Sequence, residues 1–367
     1  LALRDGDERR RSVGRTVALV GALHPGARQL ALALEDDPAV ERVLGLSRHE
    51  PPLLGPKFEF VQAGPGDARF AESLAGADVV VLFPLVDASD RNEEGRRARV
   101  VEGTRRSLAA ATRAETVVLW SSGVVYGAHS DNPVPIPETR PPRPNTDFPA
   151  AAVLAESEQL ALASAGDGSS PPAGRRSVTV LRGAGVWAPA WGTFLSRSLM
   201  APAMVGVRGA DPPLQCLAPA DAVSALVLAV SGALEGVYNV APDDWVGARA
   251  AAAAAGRRRL VVPHRMALAT AERLWRAGMS PATAGELHYH VHPWVLDNAR
   301  LRSAGWAPTR SSAEAFAEAG HQVPAGVLVG GVQVRRDHVR RGAAAGLALL
   351  AVVAVARRQG RRRSSPS

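Results

Sequence analysis

The 367-residue chain is 46% hydrophobic and 21% charged, proportions that suit a globular protein with a sizeable core. Its net charge of +8 lies wholly in residues 335–367, which hold nine arginines and one aspartate; residues 1–334 are neutral, so a basic groove tracking nucleic acid is not expected. Cys216, the single cysteine, excludes an internal disulfide and a thiolate-rich zinc site, and one lysine, Lys57, stands against 42 arginines.

Residues 1–15 read as a disordered charged tail without the apolar stretch of a secretory signal, which predicts a cytoplasmic protein. Thr16–Val20 is a short apolar run ending in Gly21, followed by a helical pattern over Ala27–Leu34. Apolar runs recur at Val43–Leu46, Phe58–Val61, Val79–Phe83, Thr116–Trp120 and Val178–Leu181, with helix-like segments at Arg96–Ala111 and Ala150–Ala163 between them. This alternation predicts an α/β fold, a Rossmann-type doubly wound parallel sheet over residues 16–182.

From 183 to 320 prolines interrupt shorter elements, as in a smaller C-terminal substrate-type lobe. Within it Asp221–Val230 and Ala267–Ala277 read as helices and Val237–Val240 as a strand that joins the sheet. Residues 321–367 read as a linker and an apolar helix, 342–356, with arginines on both flanks. Fifteen helical residues span roughly 22 Å, short of the roughly 30 Å hydrocarbon thickness. Contact with the inner face of a membrane and docking on protein are both open readings of this tail.

Five segments carry a family likeness. They are Ser121-Ser122-Gly123-Val124-Val125-Tyr126-Gly127; Asp131-Asn132-Pro133-Val134-Pro135 with Glu138; Val180-Leu181-Arg182; Leu217-Ala218-Pro219-Ala220-Asp221-Ala222; and Gly236-Val237-Tyr238-Asn239-Val240-Ala241-Pro242. In this order and spacing they resemble the extended short-chain dehydrogenase/reductase family, in its NAD-dependent epimerase/dehydratase branch, over roughly residues 16–318. The resemblance implies a Rossmann sheet binding NAD or NADP, a lobe binding a nucleotide sugar or similar small molecule, and a homodimer packed through the helices at 96–111 and 150–163.

The resemblance puts the cofactor at Gly21, Ala22, Leu23, Ser47, Arg48, Asp67, Leu82 and Ser121. Departures from the pattern accompany it. In the family three glycines let the backbone approach a pyrophosphate at a helix N-terminus; here Gly21 keeps its place, while His24 and Ala27 stand at the second and third positions. The turn therefore reads either as a degenerate phosphate loop or as a plain strand-to-helix turn. Ser47-Arg48-His49 ends the second strand, where an arginine suits NADP better than NAD; a solvated loop arginine is the plainer alternative. Gly64 replaces an expected acidic residue, Leu82-Phe83-Pro84 replaces small residues, and Val100 replaces an asparagine.

The largest departure is at the reaction centre. The family uses a tyrosine as general acid/base and a lysine four residues on that lowers its pKa, with a serine to orient the substrate. Ser122 occupies the serine position as a vestige, but Ala150 and Leu154 stand at the tyrosine and lysine positions, and Lys57 does not follow Tyr126, Tyr238 or Tyr289 by four. Two readings follow. One is an inactive family member serving as a nucleotide-binding, scaffold or regulatory protein; the other is an active NAD(P)-dependent epimerase or oxidoreductase with an unfamiliar acid/base, Ser122 and a histidine from 288–292 being the candidates.

His288, His290 and His292 would share one face if extended, either as a metal site or as a histidine ladder, and the ladder is preferred: no metal is expected. Asp221 reads as a helix N-cap or a catalytic acid, and Arg182 as a cleft residue or a carboxylate-paired arginine. No nucleophile elbow surrounds Ser121 or Ser122.

Overall fold

The computed structural model describes residues 14–51, 55–86, 92–165, 176–191, 193, 195, 196, 199, 203–263, 269, 271–273, 276, 283–323, 326–329 and 332–335. The tail at 342–356 and most of the helix expected over 267–277 lie outside these residues. Among those described, no helix is long and apolar enough to cross a membrane.

Seven strands build the central sheet: β1 (Arg15–Val20), β2 (Val40–Ser47), β3 (Phe58–Gln62), β4 (Val79–Leu82), β5 (Thr116–Ser122), β6 (Ser177–Gly183) and, after the short β7 (Met204–Val207) and β8 (Pro213–Leu214), β9 (Gly236–Val240). Their order is β3-β2-β1-β4-β5-β6-β9, and every pairing is parallel. The order reverses between β1 and β4, which opens a crevice at their C-terminal ends, where ligands of such sheets bind. The β-branched runs Val79-Val80-Val81 and Val117-Val118 explain why these segments become central strands: each is buried on both faces.

Helices α1 (Pro25–Leu34), α2 (Ala68–Ala75), α3 (Glu93–Ala110), α4 (Pro149–Ala163) and α5 (Pro219–Val230) return the chain between parallel strands. Leu30, Ala31 and Leu34 of α1 join one core with Ala222, Ala225 and Leu226 of α5. Phe70 and Leu74 of α2 and Leu108 of α3 form a second core on the opposite face of the sheet. The later chain adds β10 (Val246–Gly247) against β8, α6 (Ala248–Ala254), β11 (Arg259–Val262) against β7, α7 (Ala299–Ser303), α8 (Ser312–Gln322) and a hairpin of β12 (Gly326–Val329) and β13 (Val332–Arg335). Its link to the sheet is a buried patchwork in which Gln215 donates to the carbonyls of Pro242 and Leu296 and accepts from the Leu296 amide.

The structure decides three local readings. Asp221 is not the cap of α5 but lies in its first turn, and its buried carboxylate accepts from the Thr309 amide and hydroxyl (2.9 and 2.7 Å) and the Arg310 amide (3.2 Å). The 288–292 segment is not extended: residues Ala284–His290 form a 3₁₀ helix, started where Glu286 reaches back to the Thr283 amide at 3.3 Å. Two-residue alternation therefore does not apply there, and no cluster of three metal-ligating side chains occurs among the described residues. Arg182 sits on β6, one strand in from the edge strand β9, and is carboxylate-paired.

Candidate functional site

A cavity of about 550 Å³ opens at the C-terminal ends of β1, β4, β5 and β6. Leu23, His24 and Pro25 form one wall, Pro84, Leu85 and Val86 a second, and the start of α4, through Phe148, Ala150 and Leu154, a third. Trp120, Ser121 and Ser122 form its floor with Gly183–Val186, and Trp191, Thr193 and Leu195 close it. No Asp, Glu, Lys, Arg, Tyr or Cys is among the described lining residues; His24 is the one titratable group.

The β1–α1 turn explains that histidine. Gly21 has φ +87°, and a β-carbon there would lie 2.6 Å from the Phe83 carbonyl oxygen, so only glycine fits. After it, the Gly21 and Ala22 amides donate to the Leu46 carbonyl (3.0 and 3.2 Å), and the His24 amide to Gly21 O (2.8 Å). His24 is the N-cap of α1: its Nδ1 accepts from the Gly26 amide at 3.0 Å. The ring stacks on Phe83 (centroids 5.0 Å apart, 23° between planes) and meets Trp191 edge-on at 5.3 Å, while Trp191 packs on Trp120 at 5.9 Å. Burial pushes the imidazole down to about 4, which leaves it neutral at physiological pH.

This turn does not fit a dinucleotide in the usual pose. Three of the amides at this turn that could meet a pyrophosphate, those of Ala22, His24 and Gly26, are engaged by the Leu46 carbonyl, the Gly21 carbonyl and the His24 ring. Gly26 makes a close approach, but to protein: a β-carbon there would lie 3.0 Å from both His24 Nδ1 and the Trp191 ring. Around it the other positions implied by the resemblance scatter. Ala22 is buried and Leu23 exposed at the cavity mouth. The Ser47 hydroxyl donates to the His49 carbonyl, and exposed Arg48 folds over Gly64, where a β-carbon would lie 2.7 Å from its Nε. Exposed Asp67 accepts from the Gly64 amide at 2.7 Å, and Leu82 packs in the core on the far face, its neighbour Phe83 taking the cavity side.

Beneath the floor lies a polar network that the sequence motifs assemble. Glu158 and Arg182, both nearly inaccessible, pair through Nη2–Oε2 at 2.6 Å and Nε at 3.0 and 3.2 Å from the two carboxylate oxygens. The Ser121 hydroxyl donates to Glu158 at 2.5 Å. Arg182 Nη1 donates to the Tyr126 phenol (2.8 Å), which donates to Asn239 Oδ1 (2.9 Å). Asn239 in turn donates through its amide to Glu138 (2.9 Å) and through Nδ2 to the Ile136 carbonyl (3.0 Å).

Burial pulls Arg182 down, but the Glu158 hydrogen bond and charge outweigh it and hold the guanidinium above its ordinary range. Burial raises the Tyr126 phenol above its usual value, with Arg182 opposing. Tyr126 is thus a buried phenol held between Arg182 and Asn239, outside the described lining of the cavity.

Glu158 went unnoticed in the sequence, although its position was readable: Ala150, Leu154 and Glu158 recur every four residues on one face of α4. The structure brings together Ser121, Ser122, Ala150, Leu154 and Leu23 around one cavity. It leaves Ser47, Arg48, Asp67 and Leu82 out of that lining, along with His288, His290 and His292. His288 instead pairs with Asp147 at 2.9 Å, and Tyr289 packs on Phe148 and donates to the Val124 carbonyl at 2.8 Å.

No protein-family model matches the chain. An uncharacterized protein of Mycobacterium tuberculosis and another of Mycobacterium bovis are each 28% identical to it over 322 residues, covering 82% of this chain and 82% of theirs. Among solved structures, MoeE5 in complex with UDP-glucuronic acid and NAD superimposes with TM-score 0.64 at 21% identity, over 84% of this chain and 98% of its own. The dTDP-glucose 4,6-dehydratase DesIV from Streptomyces venezuelae, solved with NAD, gives 0.63 at 20% identity over 84% and 96%. UDP-glucose 4-epimerase from Thermotoga maritima, solved with UDP-glucose, gives 0.63 at 15% identity over 84% and 98%. The all-parallel seven-stranded sheet, its crevice and these likenesses agree: the chain has the fold of the NAD-dependent epimerases and dehydratases of the short-chain dehydrogenase/reductase superfamily.

Proposed function

We propose that the chain is a catalytically inactive relative of these epimerases and dehydratases, a binding, scaffold or regulatory protein built on their fold. The observation that carries this reading is the face of α4: Ala150 and Leu154 present only hydrocarbon to the cavity, and Glu158 is locked against Arg182. Epimerase and dehydratase chemistry needs a group that exchanges a proton with a substrate hydroxyl. Each hydroxyl and the imidazole of the described wall has a structural duty instead. Ser121 donates to Glu158, Ser122 accepts from the Val124 amide (3.4 Å), Thr193 donates to the Val186 carbonyl (2.9 Å), and His24 caps α1.

NAD or NADP is the cofactor this fold can hold, and the solved neighbours carry NAD. In this chain a pyrophosphate would reach the start of α1 only after the His24 ring had left Gly26, so binding is expected to be weak, with exposed Arg48 favouring NADP. The test incubates the purified full chain with NAD or NADP and, in turn, UDP-glucose, UDP-glucuronic acid and dTDP-glucose, with chromatography of the products. No epimer, oxo-sugar or dehydrated sugar is expected. Product that scales with protein concentration would establish the alternative, an active enzyme with another acid/base.

A further inference from the structure

We propose that the cavity takes an uncharged, largely apolar molecule carrying a ring system, in place of a nucleotide or nucleotide sugar. The inference rests on the inactive reading of the same cleft and names its ligand class. Its size suits one small molecule: about 550 Å³ lies within the range of pockets that enclose drug-sized ligands.

Its chemistry is the stronger argument. A nucleotide sugar brings two phosphate charges, and a charge moved into an apolar wall without a partner is strongly disfavoured. The described lining offers no cation: Arg48 is folded over Gly64 outside the lining, and Arg182 is neutralised by Glu158 beneath it. His24 is held neutral by burial.

What the wall does offer is aromatic and aliphatic. Trp120, Trp191 and Phe148 supply ring faces and edges, with Val86, Leu154 and Leu195 between them. Leu23 and Leu85 stand 37% and 52% exposed at the mouth, large apolar side chains that a seated apolar ligand would cover.

The test uses the full chain and the uncharged fluorescent amine N-phenyl-1-naphthylamine, with UDP-glucose and NADP as charged competitors. Saturable binding is expected, undisturbed by either competitor at equal concentration. Leu154→Lys, which puts a charge in the wall, should weaken binding about tenfold or more. Leu85→Asp, at a half-exposed position that the fold does not depend on, should do the same and guards against loss of folding in the first variant. Absence of saturable binding, binding that neither variant changes, or displacement of the probe by NADP or UDP-glucose at similar concentration overturns the inference. Turnover of a nucleotide sugar would overturn the inactive reading itself, a separate result with a separate readout.

Discussion

Replacing Glu158 by glutamine is the sharpest test of the network under the cavity floor. The side chain keeps its shape and loses its charge, so Arg182, with only 4% of its side chain accessible, is left as a buried cation without a counter-ion. Breaking one partner of such a pair costs about 3–5 kcal/mol. That is a large fraction of the roughly 5–15 kcal/mol by which a folded domain is stable. At about 2–4 °C per kcal/mol for a chain of this class, the melting temperature should fall by roughly 6–20 °C. The double variant Glu158→Gln with Arg182→Met removes both charges and should recover most of the loss, because the penalty comes from the orphaned ion. Urea and thermal unfolding of the wild type, the two single variants and the double variant give the full cycle. A Glu158→Gln protein within about 1 kcal/mol of wild type would refute the reasoning, since that is the scale of an exposed pair.

Two further expectations concern the histidines. His24 and His290 are both pushed down to about 4, His24 by burial and His290 by burial with the Arg259 charge adding to it. The unfolded chain, with ordinary histidines near 6.5, takes up protons that the folded chain refuses, so this stability is complete above pH 6.5 and is lost as pH falls toward 4. Its slope reaches up to about 1.4 kcal/mol per pH unit for each histidine. Urea midpoints between pH 7.5 and 4.5 should show it, and His24→Phe, which keeps a ring on Phe83 and Trp191, should remove about half; an unchanged slope would contradict the assignment. His24→Gly frees the start of α1 and should tighten NADP binding about tenfold in a fluorescence titration, while a glycine at the cap position costs only a few tenths of a kcal/mol. Unchanged affinity would mean that the imidazole does not guard that helix.

Much of the fold was legible because its central strands are short β-branched runs buried on both faces, a pattern that needs no tertiary information. All seven sheet strands and the helices at 25–34, 93–110, 149–163 and 219–230 fall where the apolar runs and helical periodicity put them. The site was legible only in part. Ala150 and Leu154 could be placed from their distance to Ser122 and Phe148, and the structure seats them in the cavity wall.

The rest depended on contacts distant in sequence. Glu158 finds Arg182 across 24 residues, Tyr126 finds Asn239 across 113, and Asp221 is claimed by a loop 88 residues on. The role of His24 was hidden for a different reason. Its position was recognised, but its capping of Gly26 and its stacking on Phe83 and Trp191 arise only when three segments meet. The shared face of the histidine triplet held only for an extended run, and Glu286 starts this segment as a helix instead.

On the proposed reading this scaffold keeps the sheet of its relatives and lacks their proton relay. The most direct measurement mixes the protein at substrate-like concentration with millimolar NAD and UDP-glucose in a stopped-flow cell and follows absorbance at 340 nm. Reduced nicotinamide would appear there even if product never left the protein. The account predicts a flat trace, identical to one recorded without sugar. A transient whose amplitude scales with protein concentration would contradict it.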